Sequence, residues 1–270
     1  QDLLKIIFNF TKSKNIKLYI VGGILRDMIL KREKENLDID FCVKSKAITL
    51  GRELAKMLRA GFVILDKEHG ACRLVKSLKH KTCTLDFTDF RGKTLMEDLG
   101  HRDFTINTLA LELGNIFNGH NLDALLIDPY QARRDLNSRV IKIVNKNAFD
   151  EDPLRILRAF SLACVFNFRI EPETLRFVKL KKKKLSGVSF ERIRDELFKI
   201  FHQPDAFAYL VKMDKLSLLN IIMPELKAMR NLRQGPYHHL DVWKHSLETV
   251  RQLEGLIAEL KNNSEISSYL

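Results

Sequence analysis

Asp38 and Asp40 stand one residue apart in the run Leu37-Asp-Ile-Asp-Phe41. Side chains alternate along an extended chain, so both carboxylates fall on one face of a strand, within reach of a shared ion. Acids placed side by side repel each other, and a fold retains them where a cation sits between them. A divalent metal carrying a nucleoside triphosphate suits such a pair. The plain alternative is an edge strand with two solvated acids.

The residues just upstream favour the metal. Lys17-Leu-Tyr-Ile-Val21 reads as a short buried strand, bounded by Gly22-Gly23. Ile24 to Lys31 then has helical spacing, with Arg26 near the helix start. A turn through Gly22 and Gly23 lets backbone N–H groups approach phosphate oxygens, the helix N-terminus adds partial positive charge, and Arg26 can add a charged fork. A phosphate cradle beside a metal-binding pair is a catalytic arrangement. Asp86, in the strand-like Thr82-Cys-Thr-Leu-Asp-Phe87, faces the same way as Thr82 and Thr84 and is a candidate third carboxylate.

Two further segments carry chemistry. In His101-Arg-Asp-Phe-Thr-Ile-Asn107, Arg102 can reach a triphosphate or a sugar, and Asp103 can fix Arg102 or accept from a ribose hydroxyl. A surface Arg-Asp pair is the alternative. In Glu151-Asp-Pro-Leu-Arg-Ile-Leu-Arg158, Pro153 belongs in the first turn of a helix, with Asp150 or Asp152 as its cap. Asp152, Arg155 and Arg158 then follow at i, i+3 and i+6, a spacing expected to align them in one stripe. Their acceptor and donor fork match the amine, ring nitrogen and carbonyl of cytosine. A helix-surface ion pair worth a few tenths of a kcal/mol is the competing interpretation.

The elements that must position these groups come in two kinds. Up to about residue 115 strand-like and helix-like segments alternate: helices over Leu3–Lys12 and Ala47–Ala60, strands over Phe62–Asp66, Ala71–Val75 and Thr82–Phe87. That pattern predicts an α+β domain with a mixed sheet. Beyond about residue 140 the periodicity is helical throughout, over Pro153–Phe166, Pro172–Leu180, Ser189–His202, Asp205–Leu216 and Val242–Leu260. The expected division is a head over 1–138, a helical neck over 139–204 and a helical body over 205–270.

The chain of 270 residues carries 46 Lys and Arg against 34 Asp and Glu, a net charge of +12. Such an excess suits a polyanionic partner, and Lys179-Leu-Lys-Lys-Lys-Lys184 is its densest patch, although a run of this kind also serves as a solvated face. Cys42, Cys72, Cys83 and Cys164 lack metal-ligand spacing and read as reduced core residues. The absence of a signal peptide or long apolar span leads to the expectation of a cytoplasmic chain with no membrane contact. It opens at Gln1 rather than Met, as expected of a numbering that starts inside a longer protein.

The ordered set Gly-Gly-x-x-Arg-Asp, Asp-x-Asp, Arg-Asp-Phe-Thr-Ile-Asn, Asp128-Pro129 with Asp135-Leu136, Glu-Asp-x-x-Arg and Ser189-Phe-Glu191-Arg192-Ile193 resembles the bacterial-type (class II) tRNA nucleotidyltransferase and poly(A) polymerase family. The likeness runs from about residue 15 to 225. It implies a nucleotidyltransferase head followed by helical neck and body regions, and growth of a tRNA 3′ end without a template. It implies Mg2+ at Asp38 and Asp40, and nucleotide contacts from Gly22, Gly23, Arg26, Arg102, Asp103, Asp152, Arg155 and Arg158. The reaction implied is in-line attack of the primer 3′-hydroxyl on the α-phosphorus of CTP, with release of pyrophosphate and with the acceptor arm of tRNA as partner.

Some positions depart from that pattern. His101 stands where relatives usually carry an arginine, Gln131-Ala132 replaces a usual Gly-Gly, and Ser161 stands where many carry a third arginine of the base-reading helix. The connection from Asp86 through Leu95 to Arg102 is short. Relatives that add all of C, C and A have a longer flexible loop there, and those restricted to CC lack it, so the likeness points to CC addition. A full CCA-adding enzyme or a poly(A) polymerase, which would also use ATP, is the alternative. Tyr237-His-His-Leu-Asp-Val-Trp-Lys-His245 resembles the opening of an HD-type metal-binding domain, which would suggest a phosphohydrolase. A complete site needs a later His-Asp pair that residues 246–270 lack, so His238, His239 and His245, with Asp241, are expected to be structural or to belong to a site cut off by the end of the chain.

Overall fold

The computed structural model describes residues 2–32, 36–78, 81–117, 121–233, 235 and 239–262. The chain divides into two compact units, one of Gln1–Ser138 with Lys142–Asn145 and the other of Arg139–Ile141 with Lys146–Leu270.

The first unit is built on a six-stranded sheet, β1 (Leu18–Val21), β2 (Leu37–Val43), β3 (Gly61–Asp66), β4 (Ala71–Leu78), β5 (Lys81–Asp89) and β6 (Ala110–Glu112), in the order β3-β4-β5-β2-β1-β6. β2 and β5 run parallel and the other neighbouring pairs antiparallel, which makes the sheet mixed as expected. Alternation sets its two faces. Ile39 and Phe41 of β2, Ile20 of β1, Leu74 of β4 and Leu85 and Phe87 of β5 share one face and are buried. The rings of Phe41 and Phe87 stack 4.8 Å apart there. Helices α1 (Asp2–Ser13), α2 (Gly23–Ile29) and α3 (Ala47–Leu58) accompany the sheet, and α3 buries Leu50, Leu54 and Leu58 against β3, β4 and β5.

On the opposite face, α4 (Leu95–Gly100) covers one end. Its Leu99 packs with Val21, Cys42 and Ala110, and Thr94 caps it by accepting from the Glu97 N–H. The rest of that face stays open. α5 (Leu122–Leu125) and α6 (Ala132–Asn137) complete the unit. Gln131, ahead of α6, takes φ +61, where a glycine would be unstrained. The turn survives without one because both carboxylate oxygens of Asp128 accept from the Ala132 and Arg133 N–H groups.

The second unit is helical: α7 (Ala148–Glu151), α8 (Arg155–Phe166), α9 (Pro172–Lys181), α10 (Phe190–Phe201), α11 (Ala206–Lys215), α12 (Leu219–Ile222) and α13 (Val242–Asn262). A parallel pair of two-residue strands, β7 (Val140–Ile141) and β8 (Arg169–Ile170), joins them; segments this short carry no readable period. α8 and α10 pack closely, and the Tyr209 hydroxyl of α11 donates to the Ala163 carbonyl of α8 at 2.8 Å. No helix among the described residues is long and apolar enough to cross a membrane. All four cysteines are free and buried.

Candidate active site

Strand register assembles the carboxylates. In the first unit Val63, Arg73, Asp86, Asp40, Val21 and Ala110 are successive cross-strand partners from β3 to β6. Directly paired residues project to the same face, so this is one row across the open side of the sheet. Asp38 stands one step along β2, beside Thr84. Asp38 and Asp40 are both exposed, whereas Ile39 between them is 3% exposed.

Gly22 ends β1 beside Asp40. Its φ is +76, and a Cβ there would lie 2.8 Å from Arg102 Nη1 and 3.3 Å from Asp40 Oδ2. Glycine is thus needed both for the turn and for the close approach of Asp40 and Arg102 to the backbone. A Cβ at Gly23 would meet Arg26 Nη2 at 3.3 Å. Arg26 is buried; its Nε donates to Asp27 at 3.0 Å and its Nη1 to Asn107 Oδ1 at 2.6 Å. Asn107 in turn donates to Asp103 Oδ1 at 2.9 Å, which also accepts the Phe104 N–H. Arg26, Asp27, Asn107 and Asp103 therefore brace the glycine turn. Arg102 lies 3.8 Å from Asp98.

Hard carboxylate oxygens on an exposed row suit Mg2+, and Asp38 and Asp40 would hold it. Asp86 is engaged elsewhere. Arg73 grips both of its oxygens, Nε to Oδ1 and Nη2 to Oδ2, each at 2.8 Å. These bonds raise the pKa of Arg73, and the charges of Asp86, Asp38 and Asp40 add to the effect. Among the described residues no three His, Cys, Asp or Glu side chains gather as a metal-binding group. Cys42 stands one step along β2 from Asp40 on the same face, under α4; burial pushes its thiol up to about 12, with Asp98 adding to the shift, so it is an inert neutral group.

In the second unit Asp152 is extended and precedes α8. Its Oδ1 accepts the Leu154 N–H at 3.1 Å in the turn that leads into α8, while Oδ2 accepts from Arg192 of α10 at 2.8 Å. The helix itself starts at Arg155, after Pro153 rather than at it, with no side-chain cap at Leu154. Arg155 is 5% exposed and donates to the Ala148 carbonyl and Glu151. Arg158 lies 3.4 Å from Glu196 of α10. Asp152 sits ahead of the first helical turn; Asp152 and Arg158 both meet side chains of α10, Arg192 and Glu196, while Arg155 bonds back to Ala148 and Glu151.

Glu196, buried within the apolar set Ile193, Leu197 and Ile200, also accepts from Ser161 and from Lys199. Sequence reasoning passed over it, although an acid among those positions is its signal. Arg73 was missed as well; its signal is a charge set among the apolar residues that open β4, Ala71, Cys72, Leu74 and Val75. In the lysine run, Lys181 and Lys184 bind Asp150 and Lys182 caps the Leu216 carbonyl. Asp241 serves as a helix cap, accepting the Lys244 N–H at 2.8 Å ahead of α13. Tyr237 and His238 lie outside the described residues.

A sheet with paired acids beside a glycine turn, followed by a helical region, is the architecture of a polymerase-type head and its neighbouring segment. Residues 18–142 match the family described as "Poly A polymerase head domain", and residues 167–230 the one described as "Probable RNA and SrmB- binding site of polymerase A". A CC-adding tRNA nucleotidyltransferase of Geobacter sulfurreducens is 37% identical over 78% of this chain and 46% of its own length. An A-adding tRNA nucleotidyltransferase of Deinococcus radiodurans is 33% identical over 87% of the chain and 51% of its own. The Thermotoga maritima CCA-adding enzyme, solved in complex with tRNA, is similar with a TM-score of 0.74 and 28% identity, covering 97% of this chain and 58% of that one. This chain belongs to the bacterial class II tRNA nucleotidyltransferase and poly(A) polymerase family. It spans about half the length of the curated relatives it matches.

Proposed function

We propose that this protein is a template-independent nucleotidyltransferase that extends the 3′ end of tRNA, adding C residues from CTP. The observation that carries the activity is the row of Asp40 and Asp86 beside Gly22 and Arg102 on an open sheet face. CC addition is supported by the compact connection after β5. It runs through bends stapled by Asp98 to the Arg91 N–H and by Glu97 to the Lys93 N–H, and directly into α4, leaving little slack for a pocket to adapt between bases.

In the reaction the primer 3′-oxygen attacks the α-phosphorus in line. Its bond forms as the bond to the β-phosphate oxygen breaks, and pyrophosphate leaves. Bound Mg2+ would supply Lewis-acid activation of the hydroxyl and neutralise phosphate charge. Asp38 and Asp40 are the residues to hold it. The Gly22 turn keeps side chains off the approaching phosphates, and Arg102 supplies positive charge beside them. We assign reading of the cytosine edge to Asp152, Arg155 and Arg158 on the family resemblance; each would exchange a contact it makes here, Asp152 with Arg192, Arg155 with Glu151 and Arg158 with Glu196.

The A-adding relative keeps a second reading in play, in which the substrate is a CC-ended tRNA and the nucleotide is ATP. Labelled CTP and ATP, each offered with tRNA ending at its discriminator base or at CC, separate the two. Two C residues on the first substrate and little A on the second are expected. Efficient A addition to the second would overturn CC-only specificity, and no incorporation in any combination would overturn the activity.

A further inference from the structure

We propose that Arg73 is a positioning residue that withholds Asp86 from the metal, so that Asp38 and Asp40 alone hold a divalent cation until Arg73 lets go. The inference rests on the metal role of Asp38 and Asp40 given above. Register alone would put three carboxylates together, because Asp86 is the direct cross-strand partner of Asp40. They do not converge as a metal-binding group. What separates them is visible in the next strand. Arg73 is the cross-strand partner of Asp86 on its other side, and its planar fork takes both carboxylate oxygens at 2.8 Å.

A carboxylate with both oxygens in a guanidinium fork has its charge satisfied and its lone pairs directed away from a neighbouring ion. Arg73 also sets a fixed positive charge one strand beyond Asp86, which weakens cation binding at Asp38 and Asp40. The pair is accessible enough to exchange, since the side chains of Arg73 and Asp86 are 45% and 19% exposed. Triphosphate oxygens arriving at the row would offer Arg73 an alternative partner of the same chemistry. Asp86 would then be released to join the cation only when nucleotide is present. Arg73 thus links the number of metal ligands to substrate binding.

A double-mutant cycle on the full chain tests this, read by titrating Mn2+ without nucleotide and following bound metal by electron paramagnetic resonance and calorimetry. Wild type should bind Mn2+ weakly, and Asp40→Asn should remove that binding. Arg73→Gln should tighten Mn2+ binding about tenfold, whereas adding Arg73→Gln to Asp86→Asn should change it less than about threefold. Arg73→Lys, which offers a point charge in place of a fork, should fall between wild type and Arg73→Gln. Equal tightening in the two backgrounds would show that Arg73 acts through its charge alone and would overturn the proposal. So would an Arg73→Gln variant that binds no tighter than wild type. Mn2+ binding untouched by Asp40→Asn would overturn the metal site itself, and this proposal with it.

Discussion

Replacing Glu196 with alanine should destabilise the helical unit by about 2–3 kcal/mol. The residue is 3% exposed, and its carboxylate receives the Ser161 hydroxyl, Lys199 Nζ at 2.6 Å and Arg158 Nη1 at 3.4 Å. Removing one member of a fully buried ion pair costs about 3–5 kcal/mol, because the other charge is stranded. Here the stranded charges are not fully buried. The side chains of Arg158 and Lys199 are 32% and 49% exposed and regain water, which lowers the expected loss. Ser161 cannot do so. It is 0% exposed and keeps only the Arg158 carbonyl at 3.3 Å as an acceptor, so much of the loss arises there. A loss of this size lowers the thermal midpoint of a unit of this length by roughly 5–10 °C.

Glu196→Gln retains an acceptor for Ser161 and should cost only about 1 kcal/mol. Thermal and urea melts followed by circular dichroism and by the fluorescence of Trp243, the sole tryptophan, measure both variants. An alanine variant within about 0.5 kcal/mol of wild type, or a glutamine variant as damaged as the alanine one, would refute this reasoning.

Asp38→Asn or Asp40→Asn should abolish nucleotide addition and leave the circular dichroism spectrum and melting midpoint unchanged, since both side chains are exposed; near-normal turnover with Mg2+ would remove them from the metal site. Arg155→Ala should raise the apparent constant for CTP and reduce discrimination against UTP by about 1–3 kcal/mol, as for a lost bidentate contact. It should also lower stability, because Arg155 holds the Ala148 carbonyl; unchanged CTP/UTP selectivity would end its base-reading role. Burial works to raise the Asp214 carboxyl, but hydrogen bonds from Arg230 and from the Trp243 indole outweigh it and hold the group below its ordinary value of 3.8. A depressed carboxylate contributes stability above that value and loses it as pH falls through the folded pKa. Trp243 emission should therefore be constant from pH 7 down to about 4 and change below it. Asp214→Asn should remove that acid step, and persistence of the step in the variant would assign it to another group.

Much of this protein is legible along the chain, because the relevant physics is local. Alternation in Leu37–Val43 places Asp38 and Asp40 on one face, and the Gly22-Gly23 pair marks the turn beside them. Helical period locates α3, α10 and α13 to within a few residues, and Pro153 with Asp152 marks the entry to α8. The order of these motifs is enough to place the chain in its family. Side-chain partners are another matter. That Asp86 neighbours Asp40 depends on parallel pairing of β2 with β5, strands separated by the β3–β4 hairpin, and no local period encodes that register.

Charged residues show the same division. Arg26 reads as a phosphate ligand from its place after the glycines, and only the fold reveals its bonds to Asp27 and to Asn107, 81 positions away in sequence. Arg73 and Asp86, Arg192 and Asp152, and Arg158 and Glu196 are likewise joined across strands or helices. Sequence determines which groups have charge and which face of an element they occupy. Tertiary packing decides which opposite charge fills the space in front of them, because a buried or half-buried ion must find its counter-ion wherever the folded backbone brings one.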